Sequence, residues 1–411
     1  MRLVFLFLLL AVNPTQAQIT RYKVKLTPDL DHQLLHAQET IEFQHDAGTV
    51  ELHKQSGLQL LKTKSPDADV TLADESLTIR LRRSGKHLLH FEYTAAPHRG
   101  IKWFADQPGF DTAFYCDTWM ICDNSPSQRA TLTLEIVLRA SSGMAAVGPG
   151  RLKKQWHDAK GEHFLFEQDN PVQTYLFSFG VAKLIRSTTE NFVIYALDST
   201  IHQAAFSKTA EALAFLRSKA GVDLADAQYT QAFLPGPIEQ EAAGLALLPA
   251  SYLPNLENDQ VSDMTHELAH QWWGVLVGIR SWSDFWLNEG MADFMTAAYL
   301  EQHNGKAAYD EQIAAAQKQM DKLRAEGHDR PLHWEAWKDA HEALGRIPYV
   351  KGALFLDRLR KELGEEKFWR GIQLYTTRNA GRLVDSHDFQ QAMEEASHRD
   401  LKSLFNEAVY H

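Results

Sequence analysis

The chain has 411 residues, 44% of them apolar and 23% charged, an ordinary globular balance that excludes a disordered, collagen-like or coiled-coil protein. With 42 basic against 53 acidic residues the formal charge is −11, which argues against nucleic acid or an anionic membrane as a partner. Two cysteines are too few for a disulfide-rich scaffold.

Residues 1–17 read MRLVFLFLLLAVNPTQA. Arg2 precedes an apolar run from Leu3 to Val12, Pro14 breaks it, and Thr15 and Ala17 occupy the −3 and −1 positions of a cleavage site. This order predicts a secretory signal peptide. The run is too short to span a bilayer, which takes about 20 residues. The expected mature chain of about 394 residues is exported, periplasmic or extracellular, and has no membrane span. At about 150 residues each it has room for two or three domains. Export leaves two readings for Cys116 and Cys122, a local disulfide or two buried thiols. A metal site there is not expected, because no second cysteine pair exists and the nearest histidine is His98.

From Tyr22 to about Leu184 apolar residues alternate, as in 22–26, 77–81, 132–138 and 175–179, with turn residues between the runs. Many short strands predict an antiparallel β-sandwich-like domain over 18–189. One more strand follows at 191–196. Helical spacing then takes over at 205–219, 262–277, 289–303, 306–326, 350–363, 365–377, 386–397 and 401–409. Gly221, Gly305, Gly327, Gly364 and Gly381 fall where helices should stop. The second domain, 190–411, is therefore mostly helical with a small sheet, and the fold class is α+β multidomain.

His266-Glu-Leu-Ala-His270 is an H-E-x-x-H within the helix expected to start at Ser262 or Asp263, both good N-caps. Four residues turn a helix by about 400°, so the two imidazoles share one face. They suit a single Zn²⁺, with Glu267 in reach of a water on it. A metzincin is excluded, because Trp273 and Leu276 stand where that class needs glycine and histidine. A third ligand must come from elsewhere. Glu289, at the start of the next helix, can close a His₂Glu site with the fourth position open. Trp272 and Trp273 are expected to pack behind the zinc helix. Asp284 and Asp293 are both candidates to orient an imidazole.

The segment HELAHQWWGVLVGIRSWSDFWLNEGMADF closely resembles the zinc aminopeptidases of the aminopeptidase N family, whose pattern is H-E-x-x-H, eighteen residues, then the Glu of N-E-G. The resemblance implies His266, His270 and Glu289 as ligands of one zinc and Glu267 as general base. It also implies a thermolysin-like catalytic domain. Gly236-Pro-Ile-Glu-Gln240 resembles the family's G-A-M-E-N, which implies that Gly236, Glu239 and Gln240 bind substrate, Glu239 through the free α-ammonium group. Pro348-Tyr-Val-Lys-Gly-Ala353 resembles Y-x-K-G-A, which makes Tyr349 the oxyanion donor. Residues 121–126 resemble the P-C-x-D-x-P segment of the family's β domain.

The implied activity is removal of the first residue from peptides with a free N-terminus. Alternatives are a thermolysin-like endopeptidase and a catalytically inactive peptide-binding protein. Three departures stand out. Pro237 replaces alanine and lacks an N–H. No glutamine occurs between 108 and 127, where the family presents one to substrate, and Tyr115 or Cys116 stands nearest. The sequence stops 62 residues after Tyr349, short of the family's C-terminal domains. That last departure leaves an open cleft for longer peptides, or one completed by a homo-oligomer.

Overall fold

The computed structural model describes residues 18–411 apart from 97–98, 190–191, 199–201, 227 and 338–339. The leader expected at 1–17 and His98 lie outside the described residues.

The first region is built on a seven-stranded sheet. Its spatial order is Arg151–Asp158, Gly161–Gln173, Arg129–Leu138, Gln18–Asp29, Leu34–His45, Gly85–Ala95 and Leu58–Lys64. Sheets of three and four strands accompany it. In–out alternation along the strands sends Tyr22, Phe43, Leu77 and Phe91 into one core. One strand pair departs from the antiparallel expectation: Gln18–Asp29 and Arg129–Leu138 run parallel. A parallel neighbour needs a long crossover, and the intervening segment supplies it while forming other strands. Residues 175–179 also depart from expectation. Thr174–Leu176 is a short 3-10 turn rather than a strand. All of 174–179 is buried, so the alternation there has no inside and outside to separate.

The second region carries a five-stranded sheet in the order Ile185–Thr188, Phe192–Ala196, Tyr229–Leu234, Leu245–Pro249, Gln240–Ala242. Its three central strands pair in parallel and are buried throughout, as runs covered on both faces must be. The last, Gln240–Ala242, is an antiparallel edge. The longer helices, in chain order, are α1 (His202–Ala220), α2 (Ser262–Ala269), α3 (Trp286–Asn304), α4 (Lys306–Ala325), α5 (Arg346–Leu363), α6 (Glu365–Asn379) and α7 (Ser386–Ser397). Each of the five glycines expected to stop a helix has positive φ, the conformation glycine takes at no steric cost.

Helix α2 differs from the sequence reading at both ends. Val261, not Ser262 or Asp263, is its N-cap. The Val261 carbonyl already accepts the Thr265 N–H (3.0 Å), so the polar pair falls inside the first turn. The helix ends at His270 rather than at 277. Val275 N–H returns to the His270 carbonyl and Val277 N–H to that of Trp272, while Gly274 takes φ +145°. Cys116 and Cys122 are joined in a disulfide. Among the described residues no helix is long and apolar enough to cross a membrane.

Candidate metal centre

Three helices and one sheet edge build the site. Helix α2 presents His266 and His270 one turn apart, with Nε2 atoms 3.0 Å from each other. Helix α3 brings Glu289, whose Oε2 lies 3.4 Å from both. All three donor atoms fall within 4.8 Å of one another. A tetrahedral zinc with ligands at about 2.0–2.1 Å needs donors roughly 3.3 Å apart, so the triangle fits. Glu289 Oε1 is buried with no hydrogen-bond partner, which a metal at this position would relieve.

The remaining imidazole nitrogens are held. His266 Nδ1 lies 2.9 Å from Asp293 Oδ1 and His270 Nδ1 lies 3.2 Å from the Trp273 carbonyl. Such partners fix each ring's tautomer and turn Nε2 toward the metal. Of the two aspartates left open by the sequence, Asp293 therefore orients a ligand. Asp284 serves elsewhere, accepting from Ser386 N–H (3.1 Å) and pairing with His333. Trp272 and Trp273 are fully buried. Their indole N–H groups donate to the Val222 carbonyl (2.8 Å) and Thr376 Oγ1 (3.0 Å). They form the backing of the zinc helix.

The electrostatics follow from burial in one anionic cluster. Burial pushes the Glu289 carboxyl up, but the two imidazoles beside it outweigh this and hold it near 2. His270 is pushed down by burial and more strongly up by Glu289, to about 9. Burial raises Glu267 to about 7 against the opposing pull of His266 and His270. Glu267 is 4% exposed and its Oε2 has no partner. A carboxylate so placed is an efficient proton acceptor near neutrality.

Tyr349, on α5, stacks on His266 with centroids 6.0 Å apart and planes 8° from parallel. A contact between two glycines puts it there. A Cβ added to Gly290 of α3 would lie 2.6 Å from the Gly352 Cα of α5. The N-E-G and Y-x-K-G-A glycines are thus the crossing point of the two helices. Gly352→Ala is expected to destabilise the fold by about 1–3 kcal/mol through overpacking and to lower turnover by displacing Tyr349. Chemical denaturation and steady-state kinetics check both.

The residues read as a substrate segment divide. Glu239 is exposed, accepts the Tyr252 hydroxyl and lines a cavity with His266 and Tyr349. Gln240 does not face the cleft. It is fully buried, its Oε1 accepting Phe114 N–H (2.8 Å) and its Nε2 donating to Glu241 Oε2 (2.9 Å). Both ends of its amide are taken up by these buried bonds, which corrects the expected substrate contact. Gly236 is buried, and a Cβ there would collide with the Asp111 carboxylate, so its part is close packing rather than substrate contact. The Phe114 amide meets this segment, donating to Gln240 Oε1.

Glu241 was missed. It is 3% exposed, its Oε1 has no partner, and it interacts electrostatically with His270, Glu289 and Glu267. The available signal was a second carboxylate two residues beyond Glu239, in the short strand Gln240–Ala242.

Fold and donor set together define the class, a zinc metallopeptidase architecture. Residues 244–407 match the peptidase family M1 domain. Leucine aminopeptidase 2 of Aspergillus oryzae is 27% identical over 69% of this chain and 47% of its own length. Probable aminopeptidase 1 of Sulfurisphaera tokodaii is 24% identical over 95% of this chain and 52% of its own. The M1 zinc metallopeptidase from Deinococcus radiodurans has the same fold, with a TM-score of 0.79 at 21% identity over 92% of this chain and 90% of that one. Residues 244–407 thus carry the M1 peptidase domain, and the chain resembles the aminopeptidase N type of zinc peptidase. It spans about half or less of the length of these curated relatives.

Proposed function

We propose that the protein is a zinc aminopeptidase that removes the first residue of peptides with a free N-terminus. The observation that carries this reading is Glu241, a buried carboxylate beside the donor triad with one oxygen unpartnered. A buried anion is costly unless a cation meets it, and a peptide's α-ammonium group is such a cation. Holding that group fixes the first peptide bond over the triad. When bound, zinc supplies a Lewis acid that acidifies a water and polarises the scissile carbonyl. Glu267 Oε2 takes the proton of the attacking water and returns it to the leaving nitrogen. Tyr349 donates its hydroxyl hydrogen to the oxygen on which charge develops.

Removing one such donor costs about 3 kcal/mol. Tyr349→Phe is therefore expected to lower kcat about a hundredfold with little change in KM, as steady-state kinetics would show. The decisive comparison is a free-amine peptide against its N-acetylated form. The free amine should be cleaved far faster, and equal rates would overturn the aminopeptidase reading in favour of an endopeptidase. We also propose export. The Cys116–Cys122 disulfide supports it, because such bonds persist in oxidising compartments. N-terminal sequencing of the mature chain would check for cleavage after Ala17.

A further inference from the structure

Next to the donor triad lies a cavity of about 240 Å³ lined by His266, Tyr349, Arg346 and Gln319 among others. Its cation is unusual. Arg324, Arg358 and Arg360, on the same helices α4 and α5, each pair with carboxylates. Arg346 makes no ion pair among the described residues. Its Nε and Nη2 both donate to a neutral acceptor, Gln319 Oε1, at 3.1 and 2.9 Å, and its guanidinium carbon sits 5.1 Å from the Tyr349 ring centre.

Arg346 and Tyr349 are three residues apart on one face of α5, so the unpaired charge is one helical turn from the proposed oxyanion donor. In an extended peptide successive Cα atoms are about 3.8 Å apart. A terminal carboxylate one or two residues beyond the carbonyl at Tyr349 is then about 4–7 Å away, comparable with the rise of about 4.5 Å that three residues make along a helix. The planar guanidinium fork matches a carboxylate in shape and charge.

We infer that Arg346 binds the C-terminal carboxylate of short substrates, so that the cavity selects dipeptides and tripeptides with a free acid end. The inference rests on the aminopeptidase reading and adds a second anchor to it. Glu241 holds the positive end of the peptide and Arg346 the negative end.

The test uses the zinc-loaded full chain and two pairs of substrates, Leu-Gly and Leu-Gly-Gly, each as free acid and as C-terminal amide. The free acid should be cleaved with at least tenfold higher kcat/KM in at least one pair. In Arg346→Gln that ratio should fall to about one, mainly through KM. Arg346→Lys, which keeps the charge and loses the fork, should fall between them. Because Arg346 is exposed, neither variant endangers folding, and the acid–amide comparison in the unaltered protein needs no variant. Equal cleavage of acid and amide, or a ratio that Arg346→Gln leaves unchanged, overturns the inference while leaving the aminopeptidase reading intact. Failure to cleave any of the four overturns both.

Discussion

Glu267→Gln is expected to lower kcat about a thousandfold while the protein still holds one zinc per chain, the loss lying within the range for a positioned general base. The substitution keeps size and shape in a buried position and removes only the basic oxygen. His266, His270 and Glu289 are untouched, so metal content should be unchanged by elemental analysis. Burial raises the Glu267 carboxyl to about 7 in the cluster, and a bound dication lowers it from there. The base works deprotonated. The rate should therefore rise with pH through that pKa in the unaltered enzyme, and this acid limb should vanish in the variant. A variant that retains zinc and a near-normal rate would remove Glu267 from the mechanism. One that loses zinc would show instead that the carboxylate helps to build the metal site.

The site was legible in the sequence to the extent that its chemistry is local. Four-residue spacing on a helix places His266 and His270 on one face whatever surrounds them, and the helix that begins beside Glu289 is signalled by its own apolar period. What stayed hidden depends on tertiary contacts. The end of α2 is set by backbone bonds from Val275 and Val277, which no periodicity records, so the helix was read eight residues too long. The choice of Asp293 over Asp284 depends on which of two similar carboxylates the α2–α3 packing brings to His266. The role of Gly290 is visible only when Gly352 arrives from another helix. The parallel strand pair in the first region was hidden for the same reason: alternation shows a strand's faces, not its neighbour's direction.

The substrate segment shows the cost of reading a motif without its strand. Resemblance to G-A-M-E-N selected Glu239, which the structure leaves exposed and hydrogen-bonded to Tyr252. Two residues on, the short strand Gln240–Ala242 carries Glu241 into the buried cluster. If Glu241 is the ammonium anchor, Glu241→Gln removes one member of a buried charge pair and should cost about 4 kcal/mol, close to a thousandfold in kcat/KM. The amide preserves the bond to Gln240 in kind, because its oxygen can still accept. Loss of the charge is then isolated from loss of packing, and an unchanged thermal midpoint would verify this. Glu239→Gln should cost less than tenfold, since an exposed charge is screened by water. The two variants should also diverge in selectivity. Glu241→Gln should narrow the gap between free-amine and N-acetylated peptides, because nothing in the pocket would then reward the ammonium group. Glu239→Gln should keep the gap wide. The reverse pattern would return the anchor to Glu239 and make Glu241 a charge that only tunes the metal site.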